Sequence, residues 1–441
     1  MISHPLKIDD AITLEDGTHV NLQGWIVRLR KHGSLTFFDL ENSKSSIQCV
    51  VSRELLKATD GLQSLLKPEA AIVVEGKIAT RKDNPQLPPD LICEYIEVVG
   101  PVIKPMSPSP RTADLDASGL TDHKLTNQHM YMRNPKIRAA MLLRHELLGF
   151  FHRWFRENDF VEFTAPVLTP IPIYQDKTAI DLEIHGENVF LTQCVGFYLE
   201  AAIHGLDRVY NIGPSFRKEK SRGRRHLMEY WHIKAGIAFC DRERMMGVVE
   251  DLIQQGVAFS QNLRSLISTF GGSVCKPLPE GPFPRISYRE ACGLISETTG
   301  KTMQFGSSLS PDRQNVLGTR FDTPFWVVGM PRTIEPFPYV IDPDDDELTM
   351  TADLLAPGDY GELLGVAEKI SDLAELDERM LEKGREKDSR YQWVRDLRNL
   401  GAAPQAGFGL GFERFLRWIA QGYHVRDFIG FPRMFGRKIH P

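Results

Sequence analysis

No two of the six cysteines have the spacing of a metal or redox site. Cys49, Cys93, Cys194, Cys240, Cys275 and Cys292 are scattered, with no CxxC and no histidine pair at zinc spacing. The plain reading is a reduced, cytosolic protein without a structural metal. Long apolar runs are missing too: none approaches the length of a membrane span, and the N-terminal MISHPLKIDD lacks the apolar segment of a signal peptide. A soluble, cytoplasmic chain with no membrane partner is expected. Nor is there a large excess of one charge. With 53 Lys and Arg against 58 Asp and Glu the net charge is −5, which argues against a general nucleic-acid coat and leaves room for a local basic patch. What is present is ordinary globular composition, 42% hydrophobic and 25% charged, over 441 residues, enough for two or three domains.

The most informative stretch runs from Asp207 to Phe239, DRVYNIGPSFRKEKSRGRRHLMEYWHIKAGIAF. Apolar, β-branched and aromatic runs (Val209, Tyr210, Ile212; Tyr230, Trp231, Ile233, Ile237, Phe239) bound a polar, Gly-containing segment, the pattern of an antiparallel strand pair. Arg217 and Glu219 lie two apart, so a strand would point both to one face. Opposite charges on an otherwise apolar face call for a ligand or for each other. Between Lys218 and Arg225 five of eight residues are cations, enough to grip several phosphates. A solvated basic hairpin is the bland alternative. Against it, charged and aromatic residues continue from Arg225-His226 straight back into the apolar strand at Glu229-Tyr230.

That string resembles motif 2 of the class II aminoacyl-tRNA synthetases, F-R-x-E, basic loop, R-H-x-x-E-F/Y. The resemblance implies ATP binding. Arg217 would hold the α-phosphate and the charge developing on it, a catalytic role shared with Glu219. Arg225 and His226 would approach the outer phosphates, and Tyr230 would lie against the adenine.

The N-terminal 100 residues hold five strand-like runs, HVNLQGWIVRL, LTFFDLE, SIQCVV, AAIVVEGKIA and DLICEYIEVVG, which suggest a small barrel. Arg30 to Phe37, with Gln48, resembles the anticodon-binding OB-fold of the aspartyl, asparaginyl and lysyl synthetases, where an aromatic stacks on a base and a Gln reads a base edge. Phe37 taken alone would read as barrel core. The Pro/Ser-rich stretch PVIKPMSPSP reads as the start of a linker. Ile137–Glu157 is apolar at helical spacing and runs into Phe160–Pro166, a strand ending in proline. This resembles motif 1, which implies a homodimer. Further on, ADLLAPGDYGE resembles the metal-binding segment of asparaginyl synthetases, in which Asp353 and Glu362 would hold Mg²⁺ against the phosphates. GFGLGFER resembles motif 3: alternating glycines admit a ligand close to backbone, and Arg414, a further catalytic residue, would lie over the adenine and near the terminal phosphate. The expected fold is α+β. An OB-fold β-barrel (1–102) is followed by a linker (103–135) and a class II synthetase catalytic domain (136–441), an antiparallel sheet flanked by helices. Motif 1 falls at about 137–166, motif 2 at 209–239 and motif 3 at 407–433.

Departures from the asparaginyl pattern gather in one place. The nucleotide set is intact apart from Tyr230 for Phe. Where the family reads T-Q-S-G-Q-L-Y-L-E, this chain keeps Gln193 and has Gly196 for the second Gln. E-P-E becomes Lys234-Ala235-Gly236, the Arg of G-G-S-Q-R-E becomes Lys369, and a Lys ahead of an aromatic becomes Glu335. The family loop with a Glu-Gly that approaches the substrate ammonium reads Ile173-Tyr174-Gln175-Asp176-Lys177, with Asp176 as a substitute acid. Arg to Lys is not conservative at a bidentate site, and gained cations would repel an ammonium. The expectation is an AMP-forming ligase, a paralogue that adenylates an acid other than plain asparagine and passes it to tRNA or to a small amine. An ordinary asparaginyl-tRNA synthetase and a non-catalytic RNA-binding paralogue remain as alternatives. So does a placement of Lys234 and Lys369 on the pocket rim, reaching solvent.

Overall fold

The computed structural model describes residues 5–81, 84, 86–116, 120–172, 176–221 and 223–440. It divides into two compact units, Met1–Arg138 and Ala139–Pro441. No helix among the described residues is long and apolar enough to cross a membrane.

The first unit is built on a closed barrel of β1 (His19–His32), β2 (Leu35–Glu41), β3 (Ser46–Ser52), β4 (Ala71–Ala79) and β5 (Asp90–Gly100), in the order β1-β2-β3-β5-β4. All five expected runs are its strands. Gly33, at φ +58°, supplies the left-handed residue of the tight β1–β2 turn. Period-2 alternation along β2 buries Thr36, Phe38 and Leu40 and turns Phe37 and Asp39 outward. Phe37 is therefore not the core aromatic; its neighbour is. Phe38→Ala is expected to cost about 3–5 kcal/mol in denaturant unfolding, and Phe37→Ala less than about 1 kcal/mol. Equal losses would contradict the register. The stretch 103–135 carries two short helices, Leu120–Thr126 and Gln128–Tyr131.

The long helix starts at Pro135, two residues before the apolar periodicity. Asn134 accepts from the Lys136 amide through its side chain, and Pro135 needs no donor in the first turn. The strand after it is much shorter than expected: β6 is only Val161–Glu162, paired in parallel with Val209 and Tyr210. A small sheet of β7 (Leu168–Thr169), β8 (Ile180–Ile184) and β9 (Glu187–Leu191) follows. The main sheet adds β10 (Arg208–Phe216), β11 (Glu229–Ala238), β12 (Arg285–Ser287), β13 (Phe325–Val328), β14 (Thr351–Ala356), β15 (Gly361–Lys369) and β16 (Gln405–Gly411). Its order is β12-β13-β14-β15-β16-β11-β10-β6. The inner six strands are antiparallel, and only the two edge strands pair in parallel. One face is covered by the helices Pro135–Glu157 and Arg242–Ser260, whose Phe151, Phe155, Met246 and Ile253 pack on Ile233, Leu364 and Leu410. The other face is left to the site.

Candidate active site

Alternation along β11 sends Ile233 and Ala235 into the core and Tyr230, His232, Lys234 and Gly236 to the open face. Beside them β16 presents Gly411 next to His232, Gly409 next to Lys234 and Gly407 next to Gly236. These glycines make room. A Cβ on Gly409 would stand 2.9 Å from His232 Nε2 and 3.0 Å from Lys234 Nζ. Two cavities lie over this floor, of about 530 and 420 Å³. Arg217, His232, Glu362 and Gly409 line both, so the two adjoin there.

The larger cavity gathers the residues expected to hold nucleotide: Arg217, Glu219, Arg225, His226, Tyr230, Glu362 and Arg414. Arg217 and Glu219 do not lie on a strand, because β10 ends at Phe216; they still meet, Nη1 to Oε1 at 3.4 Å. Beside Tyr230, Glu219 and Glu362, the half-buried Arg217 guanidinium is held above its usual range, against the partial loss of solvent. Burial, then Arg414 and Arg417, push Arg225 down to about 10, so it stays cationic at neutral pH and an anion beside it would be welcome. Arg225 is fixed by Gln314 Oε1 (2.7 Å) and by Asn315. Gly361 makes this possible, since a Cβ there would collide with Arg225 and Gln314. Arg414 donates to the Glu362 carbonyl (3.2 Å) and faces its carboxylate at 3.4 Å. Burial, then Arg414, keep His226 below the ordinary imidazole range, and Ser221 Oγ lies 3.0 Å from its Nδ1.

The smaller cavity is lined by Gln193, Gly196, Lys234, Gly236, Glu335, Asp353 and Lys369 together with Glu200. Gln193 donates to Thr178 Oγ1 at 2.9 Å. Lys369 is not on a solvent rim: its side chain is 11% exposed, lies 4.1 Å over the Tyr339 ring and faces Glu200 Oε1 at 3.8 Å. Burial lowers it to about 8, opposed by Glu200 and aided by Lys234. Glu335 rises to about 7 through burial and the nearby Glu362. Burial, then Glu362 and Glu335, carry Asp353 well above the carboxylate range. Carboxylates crowded in this way suit a divalent cation. Among the described residues no three His, Cys, Asp or Glu side chains gather as a metal cage. Ile173, Tyr174 and Gln175 of the proposed ammonium loop lie outside the described residues, as does the Asp176 side chain.

Arg30, Phe37 and Gln48 come together on the outer face of the barrel: Arg30 pairs across the strands with Phe37, and its Nη2 donates to Gln48 Oε1 at 2.9 Å. Sequence reasoning missed His232, Glu200 and Arg398. Glu200 stands one helical turn after Gly196, a spacing that could have flagged it. His232 shares the alternation of Tyr230 and Lys234. Arg398, which donates to Glu200 Oε2 at 2.8 Å, comes from 198 residues away and carries no local signal.

Residues 121–435 match the family of class II tRNA synthetases (D, K and N), and residues 20–99 match the OB-fold nucleic acid binding domain. The asparagine–tRNA ligase of Thermococcus gammatolerans is 34% identical over 422 residues, 95% of each chain. That of Thermus thermophilus is 32% identical over 440 residues, 97% of this chain and 98% of the relative. The crystal structure of asparaginyl-tRNA synthetase from Pyrococcus horikoshii complexed with asparaginyl-adenylate is similar with a TM-score of 0.90, at 31% identity and full coverage of both chains.

Proposed function

We propose, for a chain that belongs to the class II tRNA synthetases of the D, K and N group, that it adenylates a carboxylic acid with ATP and transfers the acyl group to the 3′ end of a tRNA. The observation that carries this reading is the junction of the two cavities at Arg217, His232, Glu362 and Gly409. Nucleotide in the larger cavity and acid in the smaller would meet there. A carboxylate oxygen attacks the α-phosphorus while the bond to the bridging oxygen breaks, and pyrophosphate leaves with its electron pair. An acceptor hydroxyl then attacks the acyl carbon and AMP leaves. Nothing here needs a protein nucleophile; positioning and charge stabilisation suffice. Arg217 covers the reacting phosphate, Arg225, His226 and Arg414 the outer ones, and Tyr230 the adenine. Mg²⁺ on Asp353 and Glu362 would neutralise phosphate charge.

The acid divides two readings. Asparagine is favoured by the relatives named above. A different acid is favoured by the lysines and glycines of the smaller cavity. The outer barrel face with Arg30, Phe37 and Gln48 supports tRNA over a small-amine acceptor. A two-fold dimer through the Pro135–Glu157 region belongs to the same proposal.

Binding of total tRNA should weaken steeply with salt, as phosphate contacts require, and weaken further in Phe37→Ala. Binding insensitive to both, with product still forming after RNase treatment, would give the acceptor role to a small amine. Absence of both ATP binding and acid-dependent pyrophosphate exchange would leave the non-catalytic alternative.

A further inference from the structure

Along β16 the open face carries Gln405, Gly407, Gly409 and Gly411, while Ala406, Phe408 and Leu410 turn into the core. Gly409 and Gly411 line the larger cavity, and Gln405, Gly407 and Gly409 the smaller. Gln405 is thus the first side chain beyond a row of three glycines, at the end away from the nucleotide residues. It pairs directly across the sheet with Lys369, whose Nζ faces Glu200 Oε1 at 3.8 Å. Gln405, Lys369 and Glu200 gather at one end of the smaller cavity.

This end does not lack charge. Arg398 and Lys369 answer Glu200, and Glu335 also acts on Lys369. What it lacks is hydrogen bonding. Glu200 Oε2 accepts from Arg398 at 2.8 Å, but 3.8 Å to Lys369 is too long for a hydrogen bond. Among the described residues Glu200 Oε1 and Gln405 Nε2 are buried without a hydrogen-bond partner, and each residue is 3% exposed. One atom is an acceptor and the other a donor. A buried polar group without a partner is costly, and two of opposite sense lining one cavity call for a group that serves both. Space is available for it. Gly236 has no left-handed backbone, and a Cβ there would meet only Ile203 Cγ2, at an ordinary 3.5 Å.

We infer that Gln405 and Glu200 choose the acid: Gln405 Nε2 donates to, and Glu200 Oε1 accepts from, one neutral group at the end opposite the reacting carboxylate, a carboxamide or a hydroxyl. This rests on the adenylating reading above and adds the residues that select the acid and the chemistry they select. A carboxylate at that end would lie against Glu200, and an alkyl group would leave both atoms unserved.

The test uses the full chain with Mg²⁺-ATP and labelled pyrophosphate. The acids are asparagine and glutamine, with the hydroxyl, carboxylate, methyl ester and alkyl counterpart of each. An amide or hydroxyl acid is expected to support exchange with kcat/KM about a hundredfold or more above its carboxylate and alkyl counterparts. The ester, which accepts but cannot donate, should fall between. Gln405→Leu keeps the volume and removes the donor, and should bring the preferred acid to within about tenfold of its alkyl counterpart. Without acid it should melt at or above wild type, since it deletes an unserved buried donor. If no acid supports exchange but the neutral acid raises the melting temperature of wild type and not of Gln405→Leu, the adenylating reading falls and this inference stands. Neither exchange nor a melting shift with any acid overturns both. Preference for a carboxylate or alkyl acid, a neutral preference intact in Gln405→Leu, or melting of that variant well below wild type overturns the inference.

Discussion

Arg217→Ala is expected to lower acid-dependent pyrophosphate exchange by about a hundred- to a thousandfold, the usual effect of deleting one preorganised donor from a developing anion. The fold should be untouched. Arg217 lies beyond the end of β10, its side chain is 37% exposed, and its one ion pair among the described residues, with Glu219, is at 3.4 Å. Circular dichroism and melting should therefore match wild type. Arg217→Lys should rescue little, because a point charge cannot replace a planar fork reaching into both cavities. Exchange within about tenfold of wild type in Arg217→Ala would remove Arg217 from the reaction centre.

Arg398→Ala should act on stability instead, by about 3–5 kcal/mol, since it leaves Glu200 buried without its closest counter-charge. Arg398 is fully buried, on the helix Gln392–Asn399; it donates to Glu200 Oε2 at 2.8 Å, to the Ile370 carbonyl at 3.0 Å and to the Val394 carbonyl at 3.2 Å. The double variant Arg398→Met, Glu200→Gln removes both charges and should recover much of the loss. A single-variant cost below about 1 kcal/mol, measured by denaturant unfolding, would mean that Lys369 alone neutralises Glu200.

Much of this was legible from local pattern. The five barrel strands and the β10–β11 pair follow from period-2 alternation bounded by turn residues, and the glycines of β16 announced a close approach. Legibility ended where local propensity did. Phe160–Pro166 has strand composition, but its ladder with β10 covers only Val161 and Glu162, with one further amide bond from Phe163 to the Tyr210 carbonyl, so pairing and not propensity set its length. Arg217 and Glu219 meet off the strand, across the start of a loop whose course no alternation predicts. Arg398 reaches Glu200 through tertiary packing of a distant helix. Phe37 and Phe38 were separable only by knowing which strand face is inside, a one-residue question of register.

Strand β11 has a metric consequence. Tyr230, which lines the larger cavity, and Lys234, which lines the smaller, stand four residues apart on one continuous strand, about 13 Å of rise. Neither neighbour of β11 shows a bulge in its pairing, so that interval cannot stretch. On the proposed function the strand is a ruler, with nucleotide at one mark and acid at the other. An acid longer than the gap must bend or extend past Lys369, because the ruler holds its reacting end still. Substrate length, and not only charge, should then set the boundary of what is activated, and a one-residue insertion in β11 would exchange the ligand-facing side chains for core ones.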